Sequence, residues 1–231
     1  MTNNWRHIIL IVVATCLCLA TSMAQDFSDH NISVGAKGGL TLSRVNFQPS
    51  VPQSMVSGMM FGATVRYIEE KHFGLIAELN LEQRGWKEKF DGLNYAYQRR
   101  LTYLQLPMLT HIFFGNNKVR GFFNAGPEIG LLIGTGTKAN FDYANVELIE
   151  GFPTENRETD QYKLDVKNKF DYGISAGLGL EVIGRNKHSF TLEGRFYYGL
   201  RDVFSNHSTD PFSSSSSMSI MVTLGYYYRI K

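Results

Sequence analysis

The last 14 residues of the chain, Met218 to Lys231, alternate regularly in polarity. Every even position is apolar, whereas most odd positions hold serine, threonine, glycine or a charged residue. A period of two places successive side chains on opposite faces of a β-strand. Strands of globular proteins usually have about 5–6 residues, and a membrane-crossing strand needs about 9–11. The segment therefore favours a strand of a membrane-spanning β-barrel, with a strand of a soluble sheet as the alternative.

Seven earlier segments alternate in the same way and complete a set of eight predicted strands. The predicted strands are Asn31–Ser43, Gly58–Glu69, Phe73–Trp86, Tyr95–Phe114, Val119–Ile133, Phe170–Val182, Ser189–Arg201 and Met218–Lys231. The fourth is the least regular, and we place Tyr103, Gln105 and His111 on its inner face. Pro107 in this strand cannot donate a ladder hydrogen bond, which predicts a bulge or a local break. Single-chain bacterial outer-membrane barrels use even strand numbers from eight upward.

The connections between these strands alternate between short and long. The short links are 70–72, 115–118 and 184–187, and the long links are 44–57, 87–94, 134–169 and 202–217. Outer-membrane barrels have short periplasmic turns and longer outer loops, a sorting for which a soluble barrel has no reason. The predicted fold is therefore an all-β, eight-stranded antiparallel up-and-down transmembrane β-barrel with four long outer loops and three short periplasmic turns. The last strand should close the barrel by pairing with the first.

Two of the long links carry further expectations. The link 134–169 is too long for an ordinary structureless loop in a compact domain. We expect it to be partly ordered, and a hairpin that extends the barrel is one form this order can take. The serine run Ser213–Ser217 is expected to be flexible and exposed.

The start of the chain predicts a signal peptide. Arg6 precedes an apolar segment of 13 residues, and small residues lead to an expected cleavage after Ala24. The apolar segment is shorter than the ~20 residues of a membrane helix. A retained anchor is one alternative, and a lipoprotein acylated at Cys16 or Cys18 is another. The predicted organisation is a cleaved signal peptide over residues 1–24 and a barrel domain over residues 25–231.

The composition of the predicted mature chain argues against several classes of function. Both cysteines of the protein lie in the leader, so disulfides, cysteine-bound metal and a cysteine nucleophile are not expected. Without Arg6, 22 basic residues face 21 acidic ones, and no cluster of Lys and Arg indicates a nucleic-acid partner. After the leader, no apolar stretch is long enough for a helical span, so a membrane-embedded form must cross by strands.

The inner face of the predicted barrel is rich in charge. Side chains can fill the interior of an eight-stranded barrel. The predicted lumen charge network has six basic and six acidic members: Lys37, Arg66, Arg84, Arg120, Arg195, Arg229, Glu78, Glu82, Glu128, Asp171, Glu181 and Glu193. Buried charges persist when they are paired and hydrogen-bonded. We therefore expect a balanced polar plug, with Arg229 near its periplasmic end.

Many aromatic residues fall near the predicted strand ends. This set contains Phe73, Tyr95, Tyr97, Phe113, Phe114, Phe170, Tyr172, Tyr226 and Tyr228. Outer-membrane barrels carry aromatic girdles at both membrane interfaces, which favours a girdle for these residues. The alternative is the general preference of strands for aromatic side chains.

The residues do not combine into a predicted catalytic or metal site. The histidines of the mature chain, His30, His72, His111, His188 and His207, lack metal-ligand spacing. Two of them precede a serine, but neighbours on a strand face opposite ways and do not form a nucleophile–base pair. His111 is expected to be a hydrogen-bonded filler of the barrel. Glu78 and Glu82 share a face, where nearby arginines favour a structural network over an acid–base pair. The glycines at 134 and 136 lack the lysine of a phosphate-binding loop. No cofactor is expected.

Several motifs resemble a known family. Residues 103–107 (YLQLP), 113–115 (FFG) and 121–130 (GFFNAGPEIG) resemble the centre of the PorT-like outer-membrane β-barrel family of Bacteroidetes. Residues 35–43 (GAKGGLTLS) look like its first strand, and residues 225–231 (GYYYRIK) are similar to its last. The chain departs from the terminal Phe that many outer-membrane proteins use to engage the assembly machinery. The resemblance implies an outer-membrane barrel, and the named member acts in export of secreted proteases.

The sequence therefore favours a non-enzymatic protein of the Gram-negative outer membrane, exported by its signal peptide. Its lumen would be filled by polar side chains, and its surface loops would act as an envelope scaffold or interaction platform. A PorT-like component of a protein-secretion or envelope-assembly complex and a narrow porin are the alternatives. The expected partners are outer-membrane lipid with lipopolysaccharide, the assembly machinery during biogenesis, and a secretion or envelope protein. The barrel is expected to be monomeric.

Overall fold

A computed structural model describes residues 31–90, 92–153, 158–166, 168–204 and 211–230. The predicted signal peptide, His30 and His207 lie outside these ranges. The strands are β1 Asn31–Gln48, β2 Gln53–Ser54, β3 Val56–Glu70, β4 Phe73–Glu88, β5 Tyr97–Gly115, β6 Val119–Ala139, β7 Phe170–Ile183, β8 His188–Asp202 and β9 Ser214–Arg229. Two short 3-10 helices, η1 Val146–Leu148 and η2 Asp160–Tyr162, lie between β6 and β7. Within the described ranges, no helix has the length and apolar character needed to cross a membrane.

Eight of the strands form a closed antiparallel ring. The pairing order is β1–β3–β4–β5–β6–β7–β8–β9, and β9 pairs back onto β1 from Ser33 opposite Arg229 to Gln48 opposite Ser214. The predicted barrel and its closing seam are confirmed. The two-residue β2 pairs with the outer end of β4, with Gln53 opposite Glu88. Two residues are too few to show an alternating pattern, so the sequence did not reveal this strand.

The two faces of the ring have inverted polarity. On the outer face, Leu178 is 70% exposed and Leu224 is 68% exposed, whereas inward-facing Thr223 is 3% exposed. The same inversion holds on the other strands, where apolar side chains project outward and charged ones are buried. An apolar exterior of this extent is favourable when lipid surrounds it, and a closed ring satisfies the backbone polar groups that lipid cannot. The barrel is therefore a membrane-spanning one.

The loops are sorted by length between the two ends of the ring. At one end lie turns of two to four residues, 71–72, 116–118 and 184–187, and at the other lie the connections 49–55, 89–96, 140–169 and 203–213. The predicted alternation is confirmed, and the short turns define the periplasmic end. The longest strands are β5 and β6, whose pairing continues to Tyr97 opposite Ala139, whereas β7 begins at Phe170 opposite Leu131. Because Lys87 of β4 lies opposite Gln98, strands β4, β5 and β6 all extend farther toward the outer end than β7 does.

The irregularity predicted at Pro107 is a local break. The pairing of β4 with β5 lapses between Met108 and Gln105, and the register on either side is unchanged. Proline has no backbone N–H to donate, which explains the lapse. A bulge lies elsewhere, in β6, where Thr102 pairs with Gly134 and Tyr103 pairs with Leu132, so that Ile133 is the extra residue.

The expectation for the serine run is wrong for most of its length. Residues 214–217 belong to β9, and Ser215 and Ser217 are 1–2% exposed on its inner face. The hydroxyl of Ser215 accepts a hydrogen bond from the Phe204 N–H at 3.0 Å, and Ser215 N–H donates to Asp202. Small side chains fit here because β1 extends to Gln48 and its inner face is crowded by rings.

Replacing Val222 by arginine tests the register of β9. Val222 lies in the middle of the outward apolar series from Met218 to Tyr228, so Val222→Arg is expected to destabilise the barrel by about 2–4 kcal/mol. The control is Ser216→Arg on the same outer face near the outer end, expected to cost about 0–1 kcal/mol. Urea unfolding of the barrel refolded into liposomes measures both values. Equal losses for the two variants would contradict the depth of this strand in the membrane.

Candidate functional site: a charged lumen under an aromatic cap

Most of the predicted lumen charge network is buried inside the barrel. Ten members are 0–6% exposed: Lys37, Arg66, Glu78, Glu82, Arg84, Glu128, Asp171, Glu181, Glu193 and Arg195. They come from six different strands, and each occupies an inward position of the alternating pattern. Because the ring is narrow, side chains from opposite walls meet across it.

The central group of the network is balanced in charge. The Arg195 guanidinium contacts Glu78 at 2.7 Å and Glu193 at 2.9 Å, and the Lys37 ammonium lies 2.6 Å from Glu78. The amides complete the carboxylate shells: Asn124 donates to Glu193 and Asn80 to Glu78, both at 2.9 Å. Two cations and two anions are therefore paired and hydrogen-bonded, the condition under which buried charge is tolerated.

The group nearer the outer end is built around Arg84 and is acidic. Its guanidinium contacts Glu82 at 2.8 Å, Asp171 at 3.3 Å and Glu128. The ring centroid of Tyr197 lies 3.7 Å from the guanidinium carbon, and the Tyr197 hydroxyl donates to Asp171 at 2.9 Å. One arginine thus serves three carboxylates, assisted by a cation–π contact.

The periplasmic group contains one ion pair and a histidine. Arg66 donates to Glu181 at 2.7 Å and lies 4.4 Å from the ring centroid of Tyr227. His111 Nδ1 lies 2.7 Å from the Asn124 amide oxygen, which places this ring in the hydrogen-bonded position expected for it. These contacts join the periplasmic group to the central one.

The predicted balance of six basic against six acidic residues is wrong. Arg120 and Arg229 are only half-buried near the periplasmic end, and neither has an ion-pair partner among the described residues. Arg120 instead donates to the Asn116 carbonyl at 3.4 Å and lies 4.9 Å from the Phe113 ring. Both arginines are close to strand ends, where water reaches their charges. The buried network therefore has four basic and six acidic members. The two additional acidic residues belong to the group around Arg84, where three carboxylates share one cation.

An apolar cluster closes the outer end of the barrel, and the sequence did not reveal it. This aromatic cap consists of the buried residues Val45, Phe47, Val51, Trp86, Phe90, Tyr97, Leu101, Tyr103, Leu132, Val146, Phe152, Tyr162, Val203, Phe204 and Phe212. Its centre is Phe47, whose ring centroid lies 5.3 Å from Trp86, 5.9 Å from Phe204 and 5.1 Å from Phe212. The available signal was parity: Val45 and Phe47 continue the inward odd positions of β1 beyond the predicted end at Ser43.

Four polar residues, which we term the loop latch, tie the longest loop into the cap. Glu88 at the end of β4 accepts hydrogen bonds from the Tyr162 hydroxyl at 2.6 Å and the Gln161 amide at 2.8 Å. Arg99 of β5 donates to the carbonyl of Leu164 at 2.6 Å. The latch therefore comprises Glu88, Arg99, Gln161 and Tyr162, and it is buried throughout. It binds η2 across the mouth of the barrel.

The same loop carries an exposed ion pair between its two short helices. Lys163 donates to Glu147 at 2.7 Å, so the chain after η2 is joined to η1. The Lys163 ammonium lowers the pKa of the Glu147 carboxyl, and the carboxylate raises the pKa of Lys163. The expected partial order of this loop is confirmed, but its described residues form 3-10 turns over the mouth. The strands that extend the barrel are β4, β5 and β6.

The aromatic girdle is only partly as predicted. Six residues lie on the outer face or at its margin: Phe73, Phe114, Phe170, Tyr172, Tyr226 and Tyr228. Tyr97 and Phe113 instead point inward and are buried, and Tyr95 packs on Phe90 of the cap at 5.8 Å. Alternation explains these exceptions, since Tyr97 and Phe113 have the inward parity of Tyr103 and His111.

Among the described residues, the remaining histidine and serine side chains do not form a catalytic pair, and there is no metal-binding group. His188 contacts the Tyr226 hydroxyl at 2.7 Å outside the barrel, while Ser189 points inward, as alternation predicted. The serine after His207 lies outside the described residues. In the described part of the chain, no three His, Cys, Asp or Glu side chains form a metal-binding group.

These features define a class of protein: a closed membrane barrel with a polar interior and an ordered outer cap. The sequence profile for the outer membrane protein beta-barrel domain matches residues 23–205. The chain therefore belongs to this family and is a protein of the outer membrane. No curated protein sequence matches the chain.

Solved structures of small outer-membrane barrels are similar to it. Neisserial surface protein A is 8% identical with a TM-score of 0.42, and 85% of this chain covers 96% of that one. Ail of Yersinia pestis is 12% identical with a TM-score of 0.40, covering 85% and 98%. OprG of Pseudomonas aeruginosa is 13% identical with a TM-score of 0.46, covering 86% and 95%.

The asymmetry at Arg84 predicts unequal effects of two substitutions. Arg84→Met leaves three buried carboxylates without their shared cation and is expected to cost about 3–5 kcal/mol of unfolding free energy. Glu82→Gln removes one excess negative charge and keeps an acceptor for Arg84, so a loss of about 1 kcal/mol or less is expected. Urea unfolding in liposomes compares the two. A larger loss for Glu82→Gln would show that all three carboxylates are needed as charges.

Proposed function

We propose that this protein is a non-enzymatic outer-membrane barrel that holds its surface loops as an interaction platform. The observation that carries the proposal is the loop latch, which fixes the longest loop across a filled lumen. Its partner would be a protein of the envelope or of the surroundings. Because binding surfaces gain affinity when they are ordered before the partner arrives, a latched loop suits a binding role.

The packing of the lumen favours a plug over a pore. Side chains that line a water-filled channel keep exposed surface, whereas the ten buried charges are 0–6% exposed. Above them the aromatic cap adds a layer of packed rings. A narrow porin would need both layers to open.

The top of the latched loop offers apolar contact surface. Leu148 of η1 is 85% exposed, and Tyr143 just before η1 is also exposed. Large apolar side chains at a fixed position outside the membrane are typical of contact sites for another protein. The loop therefore combines an ordered base with an apolar tip.

The PorT-like role in secretion has weaker support. The motif residues that carry the resemblance build the barrel wall: Tyr103 and Gln105 face the lumen, and a Cβ at Gly126 would lie 2.1 Å from the Met108 carbonyl oxygen. A close strand approach explains that glycine without any partner. Membership of a secretion or envelope-assembly complex is therefore the second candidate, carried by the resemblance alone.

The proposal of a non-enzymatic role follows from how the reactive groups are engaged. Glu78 and Glu82 both contact arginine, and His111 is enclosed among Asn124 and the rings of Phe113 and Phe122. These two carboxylates and the His111 ring therefore stabilise the inside of the barrel and do not contact lipid. Comparison of lipid A from cells with and without the protein tests this point, and a changed acylation pattern would contradict it.

Conductance separates a plug from a pore. Wild-type protein in a planar bilayer is expected to show no steady large conductance, because the lumen is packed at the charge network and again at the aromatic cap. A variant that weakens only the cap, Phe47→Ala with Phe204→Ala, should also remain closed since the charge network lies beneath it. Steady large conductance of the wild-type protein would overturn the plug.

Capture experiments test the platform. Wild-type protein, a variant with Gly-Ser in place of residues 141–166, and the latch variant Glu88→Gln/Arg99→Gln are pulled down from solubilised membranes. A partner identified by mass spectrometry should be retained by the wild type, lost with the loop replacement and reduced several-fold by the latch variant. Heat-modifiable gel migration controls for folding of the barrel. Equal recovery of the partner with all three proteins would contradict the proposal that this loop is the binding element.

A further inference from the structure

A basic surface lies on the outward face of β4, β5 and β6, just beyond the lipid-facing band. The last fully apolar row across these strands is Leu81, Leu104 and Leu131, which are paired in register. Above it, Gln83, Thr102 and Gly134 form a neutral polar row. The outward face thus changes from apolar to uncharged polar residues within two positions on β4 and β5, whereas on β6 the exposed Ile133 lies between Leu131 and Gly134.

The next two rows hold three cations. Arg100 lies between Gly85 and Gly136, and Gln98 lies between Lys87 and Lys138 in the row beyond. We term Lys87, Arg100 and Lys138 the basic rim. Adjacent strands are about 4.8 Å apart, so the two lysine backbones are about 10 Å from each other. Side chains of that length can converge on one group between them.

The Arg100 side chain is held in place. It reaches across β4 and donates to the carbonyl of Ser57 on β3 at 3.3 Å. Gly85, which it crosses, has φ +152°, and a Cβ there would lie 2.0 Å from the Arg99 carbonyl oxygen. The absence of a side chain at Gly85 leaves the outer face of β4 open to the guanidinium.

The two lysines border a shallow depression of about 240 Å³. Alanines at 96 and 139 keep it open, and Asn140 forms a rigid edge by donating to the Asn94 carbonyl and accepting from the Ala96 N–H.

The cations of the rim have no counter-charge in the described chain. None of the three forms an ion pair with a described residue, and the acidic residue nearest in sequence that is described, Glu88, points inward to the latch. On the opposite wall, the outward positions near the end of β9 are Ser214 and Ser216, which are neutral. The charge of the rim is therefore not neutralised by an ion pair within the described residues.

The backbone of the rim lies a little above the lipid headgroups, within reach of its long side chains. Arg100 lies four residues beyond Leu104, and Lys87 lies six beyond Leu81. At about 3.4 Å per residue and a strand tilt of about 40°, these positions are roughly 10 and 15 Å above the leucine row. The headgroup zone of one leaflet is about 5–8 Å deep, so the long side chains of the rim reach it by bending back toward the hydrocarbon.

We propose that the basic rim binds the phosphate groups of a phosphorylated lipid of the outer leaflet. The acyl chains of this lipid lie against the apolar face of β4–β6, below the leucine row. Arg100 and Lys87 contact one phosphate over β4, and Lys138 approaches it or a second one from β6. Charge complementarity and continuity with the lipid-facing band select a membrane lipid as the occupant.

Native mass spectrometry of the full barrel in detergent tests the site with lipid A carrying two phosphates. The triple variant Lys87→Gln/Arg100→Gln/Lys138→Gln is expected to bind this lipid at least about tenfold more weakly than the wild type. The matched control is Lys71→Gln/Lys118→Gln/Arg185→Gln, which removes three exposed cations at the periplasmic end and should bind as the wild type does. Heat-modifiable migration verifies that each variant is folded.

Two further arms identify the ligand. Lipid A without phosphates should bind the wild type about as weakly as the doubly phosphorylated form binds the triple variant. Inorganic phosphate at the same concentration should leave lipid binding unchanged. Equal binding by the triple variant, or by the lipid without phosphates, would overturn the site. Displacement by inorganic phosphate would show a free-anion site and overturn the assignment to lipid.

Discussion

Closure of β9 on β1 is the constraint from which the other properties of this protein follow. In a bilayer, an open strand edge leaves backbone groups without partners, so strands can cross only as a closed ring. Sixteen residue pairs from Ser33–Arg229 to Gln48–Ser214 make that closure. With eight strands, the ring is too narrow for a hydrated channel beside side chains of full size. Every inward residue must then find its partners inside the protein.

The lumen meets this demand in layers of different chemistry. Near the periplasmic end and the centre, Arg66, Arg195 and Lys37 are paired with carboxylates, and the amides of Asn80 and Asn124 donate to two of these carboxylates. Around Arg84 the carboxylates outnumber the cation, and the face of Tyr197 adds contact to the guanidinium. Beyond this layer the polar network ends and the aromatic cap begins. The cap excludes water, which strengthens the buried hydrogen bonds of Glu88 and Arg99 that hold the loop.

The two proposed binding functions, the loop platform and the basic rim, use opposite faces of the same wall of strands, β4 to β6. On its inner side, Tyr97 and Arg99 take part in the cap and latch that order the outer loop. On its outer side, Gln98 and Arg100 belong to the surface of the basic rim. Alternation of side chains along β5 separates the two, because neighbouring residues face opposite ways. A substitution on one face can therefore test one proposal without touching the other.

Much of the architecture could be predicted because it depends on patterns among neighbouring residues. Alternation gave eight strands, their inward charges and the closing seam, and loop lengths distinguished the two ends. The features that were not predicted lie at the outer end of the barrel, where inward-facing positions hold apolar residues and the serines of the last strand are buried. Val45 and Phe47 keep inward parity but are apolar, so they were predicted to lie in a loop. Residues 214–217 were predicted to be exposed because Phe47 and Phe204, which lie beside them in the structure, are distant or unpatterned in the sequence.

The sequence by itself determined the class of fold, the face that each strand turns to lipid, and the residues that line the lumen. These depend on a period of two and on segment length, which are properties of neighbouring residues. Only the tertiary structure decided which charges meet, that Arg120 and Arg229 stay outside the buried network, and that the longest loop is latched over the mouth. Such pairings join residues from distant strands, and their positions depend on the register and curvature of the closed ring.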